Sequence, residues 1–207
     1  MGKKLLLFSD VHCDINKCKL LEEKSRDADI VVCAGDLGNI RSGLEYTIDA
    51  LKEIQKPTIL VPGNSENYSE LTAACKNWPS AIVLHGNGIN AQGVEFYGIG
   101  GGIPVTPFGA WSYDFSEEEA RDLLKDCPDE GVLISHSPPK GALDVSSTGR
   151  SLGSVAVREA ILQRKPKLVV CGHIHASSGK QSILGNSVIV NAGPSGMFWE
   201  LFSENRI

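Results

Sequence analysis

The chain has 207 residues, 42% of them apolar and 22% charged, which excludes wholesale disorder and suits one globular domain spanning 1–207 better than two. Twenty Lys and Arg against 25 Asp and Glu leave a net charge of -5, which argues against avid binding to duplex nucleic acid. No apolar run approaches the roughly 20 residues of a membrane helix, and Leu5-Leu6-Leu7-Phe8 gives way to Ser9-Asp10 too soon for a secretory signal, so a cytoplasmic protein off the membrane is expected.

In chain order, strand-length apolar runs alternate with stretches of helical period, the pattern of a layered α/β domain. A strand at Lys4 to Ser9 precedes a helix at Lys17 to Lys24, and a strand at Ile30 to Ala34 precedes a helix at Leu44 to Ile54, where Leu44, Ile48 and Leu51 share a face. Strands at Thr58 to Val61, Ala81 to Leu84 and Val94 to Ile99 follow. The stretch Gly100 to Phe115, rich in Gly, Pro and aromatic residues, suits a binding loop. A helix at Glu117 to Cys127 opens with a Ser116/Glu119 capping box. A strand at Val132 to Ser135, a helix at Val155 to Arg164 opened by Ser154, and strands at Leu168 to Cys171, Ser182 to Leu184, Val188 to Asn191 and Phe198 to Phe202 complete the chain. Gly185-Asn186 signals a two-residue hairpin, so the C-terminal third reads as antiparallel.

The six cysteines, Cys13, Cys18, Cys33, Cys75, Cys127 and Cys171, show no Cys-x-x-Cys spacing and read as reduced, mostly buried thiols. Asn67-Tyr68-Ser69 matches a glycosylation triplet that has no meaning without secretion.

Four of the five histidines lie just beyond strand-like runs, together with Asp and Asn. Asp10 and His12, two apart at a strand end, can point the same way because side chains alternate with period two. Gly35-Asp36, Gly63-Asn64, His136 and Gly172-His173-Ile174-His175 follow four further strands. In α/β sheets such strand ends line one crevice. The set Asp10, His12, Asp36, Asn64, His136, His173 and His175 offers nitrogen and oxygen donors suited to borderline divalent ions, and seven ligands exceed what one tetrahedral ion takes. Two ions about 3.5–4 Å apart use the set naturally, with Asp36 as the candidate bridge.

With Asp10-Val11-His12, Gly35-Asp36, Gly63-Asn64-Ser65-Glu66, His136 and Gly172-His173-Ile174-His175 in this order, the chain resembles the calcineurin-like metallophosphoesterase superfamily, its compact bacterial and archaeal phosphodiesterase-type members in particular. The resemblance implies a four-layer α-β-β-α sandwich of two mixed β-sheets flanked by helices. It implies one ion held by Asp10, His12, Asp36 and His175 and a second by Asp36, Asn64, His136 and His173. The ions expected are two divalent transition metals, with Mn, Fe, Zn and Ni all open. The expected function is a dinuclear phosphohydrolase in which a metal-activated bridging hydroxide attacks small phosphodiesters or nucleotides.

Ser65 stands where many members carry a His that orients phosphate or protonates the leaving group, and a hydroxyl supplies no cation near neutral pH. A phosphodiesterase is therefore expected before a monoesterase. Alternatives are a non-catalytic metal-binding scaffold of the same fold, a phosphomonoesterase and a nuclease. Asn64, Ser65 and Glu66 are the catalytic candidates, with Glu66 either orienting a ligand or lying in solvent. Asn39, Arg41 and Arg150 are candidates for substrate phosphate, a surface role being the stronger alternative for each arginine. Phe108, Trp111 and Tyr113 either form a stacking lid or pack the loop, and His85, which matches no motif, reads as structural. The partner expected is a small phosphate ester; oligomeric state has no signal.

Overall fold

Alternation along the first strand sends its side chains into two different cores. In the computed structural model, which describes residues 2–202, β1 (Lys3–Phe8) turns Leu5 and Leu7 to one side and Leu6 and Phe8 to the other, all fully buried. A strand covered on both faces reads as a continuous apolar run, which explains why β2 (Ile30–Cys33), β7 (Val132–Ser135) and β8 (Leu168–Cys171) show no polar alternation.

β1 and β2 join β3 (Thr58–Leu60), β4 (Ala81–Val83) and β11 (Met197–Leu201) in a five-stranded sheet ordered β11-β1-β2-β3-β4, antiparallel only at β11. β5 (Asn87–Ala91), β6 (Val94–Ile99), β7, β8, β10 (Ser187–Asn191) and β9 (Gln181–Leu184) form a six-stranded sheet in that order, antiparallel at its two edge pairs. Leu5, Leu7, Val32, Ile59, Phe96, Ile134, Val170 and Val190 fill the space between the sheets. α1 (Ile15–Ser25), α2 (Leu44–Leu51) and α3 (Tyr68–Ala74) cover the outer face of the first sheet through Leu21, Ile48, Leu51 and Leu71. α4 (Glu117–Leu124) and α5 (Val155–Arg164) cover the second through Ala120, Leu124, Val157 and Ile161. This is the expected sandwich of helices, two mixed sheets and helices.

Several sequence expectations change in detail. α1 is longer than expected because Asp14 caps it by accepting from the Asn16 and Lys17 amides. α2 and α4 end three residues early, although Ile54 and Cys127 beyond them stay buried. The C-terminal third is only partly antiparallel: β9 and β10 form the hairpin, with Gly185 at φ +60°, while β10 runs parallel to β8. α3 and β5 had no counterpart in the sequence reading. α3 buries Leu71 alone, and four of the five β5 residues are exposed, so neither carries an apolar period. The Asn67/Glu70 capping box was the readable signal for α3, and Asn67 of the glycosylation triplet is that cap. Among the described residues no helix is long and apolar enough to cross a membrane. All six cysteines are unpaired; burial pushes the thiols of Cys18 and Cys127 up to about 11 and Cys75 up to about 12.

Candidate metal centre

β1, β2, β3, β7 and β8 run parallel within their sheets, and the turns beyond them carry Asp10, Asp36, Asn64, His136 and His173. The turns are laced together by backbone bonds, Asp10 N to Gly35 O, His12 N to Asp36 O and Gly172 N to His136 O, the last of these joining β7 to β8. Asp10, His12, Asp36 and His173 all adopt left-handed φ, between 46° and 64°. Each such non-glycine residue costs about 1 kcal/mol and persists only where its surroundings enforce it, as at functional sites. Room for this crowding comes from glycines: a Cβ on Gly63 would overlap the Asp36 carboxylate, and one on Gly172 would press on Asp10.

All seven predicted ligands meet in one cluster. His12 Nε2 stands 3.2 Å from His175 Nε2 and 3.5 Å from Asp36 Oδ2, and His175 Nε2 is 3.6 Å from Asp10 Oδ1. His136 Nε2 is 3.2 Å from Asn64 Oδ1 and 3.5 Å from Asp36 Oδ1, and His173 Nδ1 is 3.0 Å from Asn64 Oδ1. Asp36 thus turns one oxygen to His12 and the other to His136. Asp10, His12 and His175 form one compact donor group and Asp10, Asp36 and His136 a second, so Asp10 as well as Asp36 joins the two halves.

The tautomers of two of the rings follow from their carbonyl partners. Carbonyl oxygens only accept, so Nδ1–H of His12 donates to Gly38 O (3.1 Å) and Nδ1–H of His136 to Ala34 O (2.7 Å). In the neutral rings Nε2 then aims a lone pair at other lone pairs, an arrangement that calls for positive charge between them. Burial opposes charge on His136, but Asp36 and Asp10 outweigh it and raise its pKa. Burial, together with the neighbouring His136, pushes His173 down to about 4. The hydrogen bond that its ring N–H donates to Asp10 raises His175; burial works against ionisation of Asp10, yet His175, His136 and Ser9 bring it down to about 2. Donor atoms that share an ion at about 2.0–2.2 Å stand roughly 3–3.5 Å apart, so the mixed nitrogen and oxygen set fits divalent metal in spacing and in chemistry.

A family model described as calcineurin-like phosphoesterase matches residues 3–177. The chain belongs to the calcineurin-like phosphoesterase family. It is 25% identical to the UPF0046 protein K07C11.7 of Caenorhabditis elegans over 209 aligned positions, which cover 91% of this chain and 69% of that protein. It is 28% identical over 178 residues to the Probable rhamnogalacturonate lyase C of Emericella nidulans; this match covers 76% of the chain but spans only 16% of the length of that relative. The solved structure of TT1561 of Thermus thermophilus shares the fold, with a TM-score of 0.76 at 21% identity over 94% of this chain and 91% of that one.

In this member of the family the turns that carry the candidate ligands rest on side chains that the sequence did not mark. Ser9 Oγ donates to Asp10 Oδ2 (2.5 Å) and accepts the Gly193 amide. Asn191 Nδ2 donates to the carbonyls of Gly172 and Ile174, bracing the turn that carries His173 and His175. Asp114, a carboxylate that can only accept, receives the hydroxyls of Ser112 (2.7 Å) and Thr106 (2.6 Å). Ser112 Oγ is thereby left to accept Asn64 Nδ2 (3.0 Å), which turns Asn64 Oδ1 toward His136 and His173. Only the third dimension reveals these partners; a lone Ser or Asp in a loop carries no periodic signal.

The remaining predicted residues separate into those that line the cleft over the cluster and those that do not. Asn39, Ser65, Phe108 and Trp111 line it, with Ile40, Ser146, Ser147 and Leu152. Ser65 is buried, and its amide donates to Asp36 Oδ1 (2.9 Å). Glu66 is not in solvent and does not line this cleft: it is 1% exposed and its carboxylate accepts the amides of Leu37, Gly38 and Gly63, clamping the Asp36 turn to the Asn64 turn. Burial and the nearby Asp36 charge push Glu66 up to about 7, with the amides pulling the other way. Arg41 is turned away, pairing with Glu70 and reaching the Trp111 carbonyl, and Arg150 sits on an exposed turn that does not line the cleft. Tyr113 leaves the aromatic pair and packs on His85 and Phe115. His85 is structural, as read: its Nδ1 accepts the Gly100 amide, so Nε2 carries the ring proton and faces the Tyr113 hydroxyl.

Proposed function

We propose that this phosphoesterase is a dinuclear metal enzyme that hydrolyses small phosphodiesters, with Asp10, His12, Asp36 and His175 holding one ion and Asp36, Asn64, His136 and His173 the other. The reading is carried by Asp36, whose two oxygens face histidines of opposite halves of the cluster at equal distance, 3.5 Å. When bound, such ions lower the pKa of water and offset the charge that grows on phosphoryl oxygens in the transition state. The protein's own residues supply orientation. Gly38 O and Ala34 O fix the tautomers of His12 and His136, Ser112 holds the Asn64 amide, and Glu66 keeps the two central turns in register.

Ser65, at the cleft floor, donates a hydrogen bond to a phosphoryl oxygen but brings no cation and no acidic proton for the leaving group. Diesters with good leaving groups are therefore the expected substrates, with turnover rising steeply as leaving-group pKa falls. Purified protein is expected to bind two divalent ions per chain and to hydrolyse bis(4-nitrophenyl) phosphate at least about tenfold faster than 4-nitrophenyl phosphate. Asp36→Asn and His173→Ala are each expected to lower metal content and to cut turnover by about 10³-fold or more. Full turnover in either variant, or a strong preference for the monoester, refutes the assignment.

A further inference from the structure

The side walls of the cleft have a different chemistry from its floor. The cleft encloses about 570 Å³, and among the described residues that line it there is no Lys or Arg. Its positive charge is thus confined to the histidine floor and whatever cation the floor holds, enough for one phosphate group. Along this lining a second phosphate meets no guanidinium or ammonium.

The mouth is apolar instead. Ile40, Phe108 and Leu152 line it while remaining 57%, 50% and 38% exposed, a concentration of wetted apolar surface that marks a contact site. Phe108 and Trp111 stack on one another, with an interplanar angle of 13° and centroids 5.5 Å apart, so each covers part of one face of the other and the half-exposed Phe108 offers the remaining flat apolar surface. The wall is not a loose flap. Its loop is tied across by Thr106, Ser112 and Asp114, by Gly102 N to Tyr113 O and by Tyr113 N to Asn64 O, and Ser112 holds the amide of Asn64 in the floor. The distance from wall to floor is fixed by the same bonds that orient a candidate ligand.

We propose that the cleft selects phosphate esters in which one ester group is flat and uncharged, seated on the Phe108–Trp111 wall, and that a further phosphate on that group adds no affinity. This rests on the floor being a metal-dependent phosphate site, as argued above. Ligands whose aryl group is joined through a P–C bond resist hydrolysis and separate seating from leaving-group chemistry. Methyl phenylphosphonate, methyl methylphosphonate and the phenyl compound with a 4-phosphonate, a non-cleavable 4-phosphate, are to be titrated calorimetrically into metal-loaded protein. The phenyl ligand is expected to bind about tenfold tighter than the methyl one, the 4-phosphonate to give no gain, and the phenyl preference to fall to near parity in Phe108→Ala and Trp111→Ala but to persist in Trp111→Phe.

Equal binding of phenyl and methyl ligands, no measurable phenyl binding, a preference that survives both alanine variants, or tighter binding of the 4-phosphonate overturns the proposal. Phenyl preference without hydrolysis of any diester strikes the catalytic reading alone and supports the seat. Hydrolysis without phenyl preference does the reverse.

Discussion

The two halves of the metal cluster are supported to different degrees. Asp36, Asn64 and His136 are buried, with the side chains of Asp36 and His136 only 5% and 0% exposed, and each is held from behind: Asp36 by the Ser65 amide, Asn64 by Ser112, His136 by the Ala34 carbonyl. Around His12 and His175 the cluster opens, and the His175 side chain is 65% exposed, with Asp10 and His12 as its polar neighbours. A buried, braced half is arranged without an ion, whereas an open half has fewer partners to hold it. On the proposed two-ion reading the difference teaches where affinity and exchange would reside: the inner site is expected to retain its ion, and the outer one, facing the cleft, to trade ion and water more readily.

The first way to break this contrast is to unpin the inner half. In Glu66→Gln an amide NH₂ must face a backbone N–H that the carboxylate now satisfies, so the turns of Asp36 and Asn64 lose register. Stepwise titration with a chelator is expected to remove ions from the native protein in two phases. The tighter phase is expected to weaken about 10- to 100-fold in this variant, merging with the looser one.

A second, smaller effect tests the packing behind the loop without touching any candidate ligand. Burial holds His85 down to about 4, against 6.5 ordinarily, between Tyr68, Tyr113 and Phe115. Between these values the unfolded chain binds a proton that the folded chain refuses. Stability is therefore full above pH 6.5, falls as pH drops toward about 4, and levels off below. The loss is about 2 kcal/mol, allowing for the ring's solvent-facing edge. Denaturant unfolding at a series of pH values reads this slope, and His85→Gln should flatten it.

The smallest expected change sharpens the comparison at the joint between wall and floor. Ser112→Ala frees the Asn64 amide to rotate and is expected to weaken the inner ion about tenfold, with Ser112→Thr retaining most of the affinity in the same chelator titration.

Much of the centre was legible because its grammar is local. An apolar strand buried on both faces ends abruptly in Ser-Asp, Gly-Asp, Gly-Asn, Ser-His or Gly-His, and that abruptness survives in one dimension: Asp10, His12, Asp36, Asn64, His136, His173 and His175 all lie at or within two residues of such an end. Residues whose role depends on a distant partner left no such trace. For Glu66 the sequence left both orienting a ligand and lying in solvent open, and only the amides of Leu37 and Gly38 closing on it decide against solvent. For Tyr113 the sequence left a stacking lid and loop packing both open, and its contacts with His85 and Phe115 decide for packing. Edge strand β5 and helix α3, which bury almost nothing, gave no apolar period to read.

The sequence by itself determined the layered α/β class, the strand ends that carry the donors, and the absence of a cationic partner at Ser65, because periodicity and side-chain chemistry are written residue by residue. Tertiary structure alone decided that Asp36 faces both halves, that Asn64 turns its oxygen inward, and that one wall of the cleft is flat and apolar. These are relations between segments up to 163 positions apart, as for His12 and His175, fixed by how two sheets pack and not by either stretch of chain alone.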